Sequence, residues 1–219
     1  MKILHAGKEP AGYKVAALRD QVTTLETRVA ELDAAKKRDR QRLRRLSAQY
    51  QVSAILAEST SLNTAAMRIL QTICECLELE FGGHWLFDGN TNLLHCREIW
   101  HRNSGGLCEF ETISRQITFA PGIGLPGRLL VSGKPNWITD VVHDNNFLRA
   151  SIAAKIGLHA AFGFPVLLGE VVLGIMEFYA DEIQPPDEEL LALMANIGYQ
   201  IGEFNWLNWH EEIPIKFRQ

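Results

Sequence analysis

The hydrophobic pattern of the chain is strongest between residues 157 and 182, where two apolar runs flank a short turn. The runs cover residues 160–168 and 171–180, and Gly169 between them can adopt the positive φ that a tight turn requires. Apolar runs bounded by a turn are typical of a hairpin of buried central strands. Pro165 interrupts the first run, and proline cannot donate a ladder hydrogen bond. We therefore expect either a β-bulge at Pro165 or the absence of a neighbouring strand on the side to which its N–H would point.

The residues after this hairpin predict an amphipathic terminal helix. Residues 185–189 read Pro-Pro-Asp-Glu-Glu, which places proline in the first turn and acidic side chains at the positive end of the helix dipole. An earlier helix is predicted up to Leu77, with Asn63 as its N-cap. Apolar residues of the terminal helix then recur at steps of three and four, namely Leu190, Met194, Ile197, Ile201 and Phe204.

The N-terminal region follows a heptad pattern in which valine and leucine alternate. Valine at a and leucine at d predict a parallel, dimeric coiled coil over residues 13–50, with a polar layer at Lys36 and Asp39. One long helix packed on its own domain is the alternative interpretation. The predicted dimer seam consists of Val15, Leu18, Val22, Leu25, Val29, Leu32, Leu43 and Leu46.

Composition and charge narrow the class of protein. With 47% hydrophobic residues among 219, the chain can bury one core plus an extension. It lacks both an apolar run of about 18 residues and a signal-peptide core, so no membrane span is expected. Its four cysteines do not form a disulfide framework, which favours a reduced, cytoplasmic protein.

Residues 36–45 carry seven basic side chains and one acidic one, although the whole chain has a net charge of −4. A basic helix can bind phosphates or an acidic partner protein. This stretch has no interleaved aromatic residues, however, and its apolar positions belong to the seam. We therefore interpret it as a solvated face, which makes nucleic acid an unexpected partner.

Four segments stand out in chain order. They are residues 82–88 (GGHWLFD), residues 122–128 (GIGLPGR), residues 137–141 (WITDV) and the hairpin of residues 157–182. In this order they resemble the first strand, the loop into a short helix, the short middle strand and the last hairpin of the GAF domain, a ligand-sensing module of many bacterial signalling proteins and some phosphodiesterases. The resemblance implies an α+β fold, with a central antiparallel sheet flanked by helices and preceded by the long N-terminal helix.

Domain boundaries follow from the heptads and the resemblance together. We expect a flexible N-terminus over residues 1–12, the coiled coil over 13–50, the sensory domain over 51–206 and a C-terminal tail over 207–219.

The resemblance also brings redox enzymes into consideration, because free methionine sulfoxide reductases are GAF-like. Those enzymes need a reactive cysteine near the loop before the last hairpin, and residues 144–164 contain none. Cys74 and Cys76 lie two residues apart on a predicted helix and so point away from each other. Cys96 falls in a predicted strand and Cys108 in a predicted loop. We therefore do not expect an enzyme, and a redox enzyme is kept as the alternative.

Cofactor-binding relatives provide further comparisons. Bilin-binding relatives attach the pigment to a cysteine before the final hairpin. Residues 145–154 match that place and lack a thiol, so a bilin thioether is not expected. Phe178, Asp181 and Glu182 are similar to the end of the Asn-Lys-Phe-Asp-Glu set of cyclic-nucleotide-binding relatives, but its start is missing. Haem requires one axial histidine, and His143 or His159 could supply it. A histidine that caps a helix end is the simpler interpretation.

The resemblance implies where a ligand would bind, beneath a roof formed by residues 140–159. Arg149 is its strong cation, expected to bind an anionic ligand; alternatively, it pairs internally with Asp140 or Asp144. Glu177 either faces the polar edge of the helices or points into the pocket. The candidate ligand-binding residues are Trp100, Phe119, Trp137, Asp140, Phe147, Arg149, His159 and Glu177.

Together these features predict a non-catalytic sensory or regulatory module of bacterial signal transduction. A small molecule would bind the pocket, and the dimeric helix would relay the change to a histidine kinase or another output protein. A scaffold or dimerisation unit without a ligand is the second interpretation, in which the same aromatic residues simply fill the space.

Overall fold

The computed structural model describes residues 11–103 and 106–208, with side chains described from residue 18 to residue 207 inside those ranges. The chain divides into two compact units, residues 1–43 and 44–219. Most of the predicted flexible N-terminus and nearly all of the predicted C-terminal tail lie outside the described residues.

The first unit contains the start of helix α1, Ala11–Glu58. No glycine or proline occurs between residues 13 and 81, and this helix accordingly continues for 48 residues. The seam residues whose side chains are described are exposed, for example Leu25 at 58% and Leu32 at 69%. The helix is therefore confirmed, whereas the coiled-coil dimer stays a prediction. Neither α1 nor any other helix in the described ranges is both long and apolar enough to cross a bilayer.

A short break separates α1 from helix α2, Leu62–Leu77. The N-cap of α2 is Ser61, with extended backbone (φ −153°, ψ 157°), so the prediction of Asn63 at this position is wrong by two residues. The hydroxyl of Ser59 donates a 2.7 Å hydrogen bond to the carbonyl of Ile55. Residues 59–61 read Ser-Thr-Ser, and such residues favour caps and turns over helix interiors, so the helix ends here without glycine or proline.

Six strands form one antiparallel sheet in the order β3-β2-β1-β6-β5-β4. The central position of β1 and β6 agrees with their largely buried sequences. The strands are β1 Phe81–Asp88, β2 Leu93–His101, β3 Thr118–Phe119, β4 Asn136–Ile138, β5 Ala161–Leu168 and β6 Val171–Tyr179.

The predicted hairpin is confirmed as β5 and β6, with Gly169 at φ +59° in its turn. The register of the pair shifts between Val166 and Leu167, one residue after Pro165. On the other side of β5, strand β4 pairs only as far as Gly163. Pro165 thus lies beside an interruption of the ladder, as its missing N–H requires.

Two hydrophobic cores occupy the two faces of the sheet. The α2/α6 face is covered by α2, by the end of α1 and by α6, Glu188–Asn208. The roof face is covered by α3, Leu107–Gln116, by α4, Gly124–Ser132, and by α5, Ala150–Ile156. The predicted α+β architecture is therefore confirmed. Cys108 lies in α3, which corrects its prediction as a loop residue.

Helix α6 begins after the two prolines, where the Asp187 carboxylate accepts a 2.9 Å hydrogen bond from the backbone N–H of Leu190. Its glycines Gly198 and Gly202 lie directly on β5. A Cβ atom at either position would overlap the backbone carbonyl of Pro165 or Leu167, respectively. The one-turn spacing of these glycines explains how the helix approaches the strand so closely.

Candidate functional site

The roof, residues 140–159, crosses the roof face of the sheet and ends in α5. Arg149 is the N-cap residue of α5 and points inward, with Phe147 two residues before it. Both side chains pack against strand β6, whose Glu177 points to the same face. Glu177 is thus the buried acid of the two alternatives that strand parity left open, and it faces the roof.

Arg149 and Glu177 form a fully buried ion pair, with both side chains 0% exposed. Nη2 of Arg149 donates to both carboxylate oxygens of Glu177, at 2.7 and 2.9 Å, and lies 2.6 Å from the hydroxyl of Tyr179. Nη1 donates to the hydroxyl of Ser114 at 2.7 Å. The Tyr179 hydroxyl in turn donates to Glu177 at 2.6 Å. Arg149 therefore pairs internally, and its partner is Glu177 rather than Asp140 or Asp144.

Five aromatic rings surround the guanidinium group of Arg149, and we call them the aromatic cage. Their centroids lie 4.8 to 5.5 Å from Cζ, within the distance at which a cation is attracted to an electron-rich ring face. Phe119 and Phe147 were expected from the sequence and the other three were not. The cage consists of Trp85, Phe110, Phe119, Phe147 and Tyr179.

The charges in this cluster are mutually stabilised. Burial lowers the pKa of Arg149, but the carboxylate of Glu177 outweighs that effect and holds this pKa above its ordinary value. Burial raises the pKa of Tyr179 well above its ordinary value, although Arg149 opposes the rise. The guanidinium therefore stays charged at neutral pH, and the phenol stays protonated as a donor.

Two hydrogen-bond donors of the cluster lack an acceptor among the described residues. Among the described residues, neither Nε of Arg149 nor Nε1 of Trp85 has a hydrogen-bond partner, although both atoms are buried. A Cβ atom built on Gly83 would lie 3.3 Å from Nε1 of Trp85 and 3.4 Å from a carboxylate oxygen of Glu177. The backbone of Gly83 thus lies close against these two groups, and a side chain there would crowd them. Buried donors without partners are uncommon in folded proteins.

Asp140 and His159 form a second polar group at the start and end of the roof. One oxygen of the Asp140 carboxylate lies 3.1 Å from Nδ1 of His159, and the other lies 2.6 Å from Nδ1 of His143. Desolvation raises the pKa of Asp140, but the hydrogen bonds from His143, His159 and the backbone N–H of Val142 outweigh it and lower this pKa. His159 therefore links the two ends of the roof through its hydrogen bond with Asp140, and it does not cap a helix end.

The histidines in the described part of the chain lie outside any cluster that could hold a metal ion. The His143 side chain is 81% exposed and its Nδ1 faces Asp140. Within residues 11–103 and 106–208, no group of three His, Cys, Asp or Glu side chains is arranged to hold a metal ion. These surroundings give no enclosed, apolar site for haem beside His143.

Trp100 and Trp137, both candidate ligand-binding residues, pack against the α2/α6 face. The Trp137 ring stacks on Phe162 with centroids 5.2 Å apart, and its Nε1 donates to the carbonyl of Gln184 at 2.9 Å. The structure thus brings Phe119, Phe147, Arg149 and Glu177 together and places these two tryptophans on the opposite side of the sheet.

Sequence reasoning missed Tyr179, Ser114 and Trp85. One signal was present, because Glu177 and Tyr179 are two residues apart in a strand and therefore share a face. Ser114 and Phe110 lie one helical turn apart on α3, but only the fold places that turn over β6.

The four cysteines are free, and one of them lies beside the cluster. Cys96 on β2 packs against the core of the roof face. Burial raises its pKa to about 12, and the negative charge of Glu177 adds to this effect. A thiol with this pKa is protonated at neutral pH, which makes it a weak nucleophile.

The sequence model of the GAF domain matches residues 59–204. No curated protein matches the chain. The solved structures with a similar fold include the GAF domain of nlh2 from A. aeolicus in an inactive state, with 18% identity and a TM-score of 0.62 over 76% of this chain and 98% of that one. The GAF domain of a phosphoenolpyruvate-protein phosphotransferase from Coxiella burnetii has 16% identity and a TM-score of 0.63, over 74% and 92%.

A free methionine-R-sulfoxide reductase from Neisseria meningitidis, solved with its substrate, is similar to the same degree. It shares 12% identity and a TM-score of 0.62, over 75% of this chain and 89% of that one. At such low identity these likenesses show the fold alone, and that fold occurs in signalling domains as well as in reductases.

Proposed function

The chain belongs to the GAF domain family, and on that premise we propose that it is a non-catalytic sensory or regulatory module of bacterial signal transduction. A small molecule binds beneath the roof, inside the aromatic cage. The bound state is relayed through α1 of a cytoplasmic homodimer to a histidine kinase or another output protein.

The buried polar cluster under the roof is the observation that carries this proposal. A buried ion pair stabilises a fold no better, as a rule, than apolar side chains of similar volume. Four polar side chains at the centre of an aromatic core therefore suggest a binding role more than a stabilising one, and the unpartnered donors of Trp85 and Arg149 support this interpretation.

The position of α1 supports the relay. The helix contributes Val52, Ile55 and Leu56 to the core that α2 and α6 share on the sheet. A change in the curvature of the sheet would therefore displace the last turns of α1. Its exposed apolar seam would be buried by a second copy of the chain, and a shift in the seam would reach the partner protein.

Two alternatives give different observable results. A scaffold without a ligand would keep Arg149 and Glu177 as a permanent core pair. A redox enzyme is favoured by the reductase neighbours and by Cys96, although its raised pKa disfavours thiolate chemistry. If the protein reduced free methionine sulfoxide, and if Cys96→Ser abolished that reaction, the non-enzyme proposal would be wrong.

Native mass spectrometry of the protein purified from its source tests the main proposal. We expect a dimer that retains a small molecule, and we expect the retained mass to be lost in Glu177→Gln. The matched control is Glu58→Gln, which removes an exposed acid from an ion pair with Arg68 far from the roof. A dimer without any retained mass would favour the scaffold, and a monomer would contradict the relay.

A further inference from the structure

The aromatic cage and Glu177 have the composition of a binding site for an organic cation. Electron-rich ring faces attract cations, and organic ammonium and guanidinium groups are bound by such cages in other proteins. A buried carboxylate at the base of the cage adds a charge-assisted acceptor. The hydroxyl of Tyr179 donates to this carboxylate and holds it in place at the base of the cage.

The present occupant of the cage is the side chain of Arg149, and its fit is incomplete. A guanidinium group binds a carboxylate most strongly through two parallel N–H···O bonds from two nitrogens. Here one nitrogen, Nη2, makes both contacts to Glu177 and also contacts Tyr179, while Nε has no partner among the described residues. A better-matched cation could therefore compete with this end-on contact.

We propose that the cage is a binding site for a small organic cation, of the alkylguanidinium or alkylammonium class, and that Arg149 closes it when no ligand is bound. The inference rests on the proposed sensory function and specifies the ligand class of the same site. It replaces the expectation that Arg149 binds an anionic ligand, because the charge of Arg149 is already neutralised by Glu177.

The charges of the site favour a cation over other ligands. An anion that displaced Glu177 from Arg149 would leave that carboxylate buried without a cation, and the anion would also face five electron-rich rings. A neutral ligand that displaced Arg149 would likewise leave the Glu177 carboxylate without a cation. A cation that displaces Arg149 leaves Glu177 paired.

Release of Arg149 would move the roof, because this residue directly precedes α5. The remaining ion pairs of the roof are partly exposed, and they can be broken at lower cost than buried ion pairs. They include Arg128 with Asp144, Lys155 with Glu109, and His159 with Asp140. Exchange of one cation for another is thereby coupled to the conformation of residues 140–159.

Arg149→Ala opens the cage and provides the direct test. Ethylguanidinium replaces the atoms that the substitution removes, and N-ethylurea has nearly the same shape without the charge. By calorimetric titration we expect Arg149→Ala to bind ethylguanidinium at least tenfold more tightly than N-ethylurea. Arg149→Ala/Glu177→Gln should lose this preference. The matched control is Arg68→Ala, which removes an exposed arginine from its ion pair with Glu58, outside the cage and the roof, and should bind like wild type.

Folding of Arg149→Ala is itself informative, because the substitution leaves Glu177 buried without a cation. If this variant unfolds in buffer, ethylguanidinium and not N-ethylurea should restore the folded state, as measured by near-ultraviolet circular dichroism. Recovery with both compounds equally, or with neither, would overturn the proposal.

Wild-type protein tests whether Arg149 can be displaced. Ethylguanidinium should bind it between tenfold and one hundredfold more weakly than it binds Arg149→Ala, and at saturation the amides of residues 147–157 should exchange hydrogen several-fold faster. No binding at a concentration one hundred times the dissociation constant of Arg149→Ala would show that Arg149 is a fixed core residue, and would refute the inference.

The sensory proposal and this inference fail separately. A neutral or anionic molecule retained at the site would overturn the cation assignment and leave the sensory proposal in place. Conversely, cation binding and roof opening in a monomeric wild-type protein would support the assignment and contradict the relay.

Discussion

At the scale of single residues, the Arg149–Glu177 pair sets the energetic character of the site. Both groups have lost their contact with water, and their mutual attraction, the hydrogen bonds with Ser114 and Tyr179 and the rings of the aromatic cage compensate. Such a pair can be removed as a whole at little cost, whereas the removal of one member leaves an uncompensated buried charge.

We therefore expect Glu177→Gln to lower the free energy of unfolding by about 3–5 kcal/mol. The double substitution Arg149→Met/Glu177→Leu should restore stability to near the wild-type value, because neither buried charge remains. Urea unfolding of the single and double variants measures both effects. In the exposed pair of Glu58 with Arg68, Glu58→Gln should change the free energy by less than about 1 kcal/mol. A Glu177→Gln variant within the same limit would contradict this account.

His84, which points away from the roof face of the sheet, is expected to make the stability of the protein sensitive to acid. This histidine is 2% exposed and neither ring nitrogen has a partner among the described residues, and burial lowers its pKa to about 4 from 6.5. Because the unfolded chain binds a proton at higher pH than the folded one, stability is lost as the pH falls from 6.5 to 4. The loss reaches about 3 kcal/mol at the acidic end of this window.

His84→Leu should remove that pH dependence and be at least as stable as wild type at pH 7, because two unpartnered polar atoms leave the core. Urea unfolding at pH 4.5 and 7 measures the difference between the two variants. His95→Leu serves as the control, because His95 lies exposed on the neighbouring strand β2 and should leave the pH dependence unchanged. If the free energy of unfolding of His84→Leu changed with pH as much as that of wild type, other groups would have to cause the acid sensitivity.

At the scale of elements, close packing of α6 on β5 depends on two glycines. The carbonyl oxygens of Pro165 and Leu167 occupy the space that a side chain at Gly198 or Gly202 would need. Backbone atoms cannot rotate away as a flexible side chain can, so an added methyl group must push the helix off the strand.

Gly202→Ala should accordingly destabilise the domain by about 1–3 kcal/mol, although alanine is the better helix former. Thermal and urea unfolding measure the change. Gly89→Ala is the matched control, since a Cβ there meets no atom within 4 Å. If Gly202→Ala were neutral or stabilising, helix and strand would have to be further apart than the structure indicates.

The elements themselves could largely be predicted from the sequence, because each depends on local pattern. The hairpin follows from two apolar runs around Gly169, and the helix α6 follows from its periodicity. The break before α2 was misplaced, because its Ser-Thr-Ser segment lacks the strong local signal of glycine or proline.

The site could be predicted only in part, because it depends on which faces of different strands meet. Phe119, Phe147, Arg149 and Glu177 were identified, but the partner of Arg149 lies 28 residues away and is fixed by the sheet. Trp100 and Trp137 were assigned to the wrong face. Alternation along one strand shows which residues share a face, and it does not show which core that face joins.

At the scale of the whole molecule, the seam of α1 is an apolar surface that stays exposed in a single chain. Seven seam residues from Leu18 to Leu46 are more than half exposed. Apolar side chains at a and d positions are buried when two such helices associate in parallel.

Leu25→Lys should therefore weaken the dimer without unfolding the domain, because the charge would enter the seam and not the core of residues 44–219. Removal of residues 1–46 should have the same effect. Light scattering across micromolar concentrations measures the association, and circular dichroism checks the fold. Arg19→Lys is the control, because it keeps the charge of an exposed residue next to the seam residue Leu18. If the protein with residues 1–219 were monomeric throughout this concentration range, the dimer proposal would be contradicted.

The position of β6 in the sheet also determines when the fold can be completed during synthesis. This strand is the last of six to leave the ribosome, yet it lies between β1 and β5 and joins the two halves of the sheet. It also carries Glu177, so Arg149 and most of the cage are synthesised before the carboxylate that neutralises them. A nascent chain that ends before residue 171 should therefore remain open to proteases, and the late pairing of distant strands makes this the stage at which the chain most needs protection from aggregation.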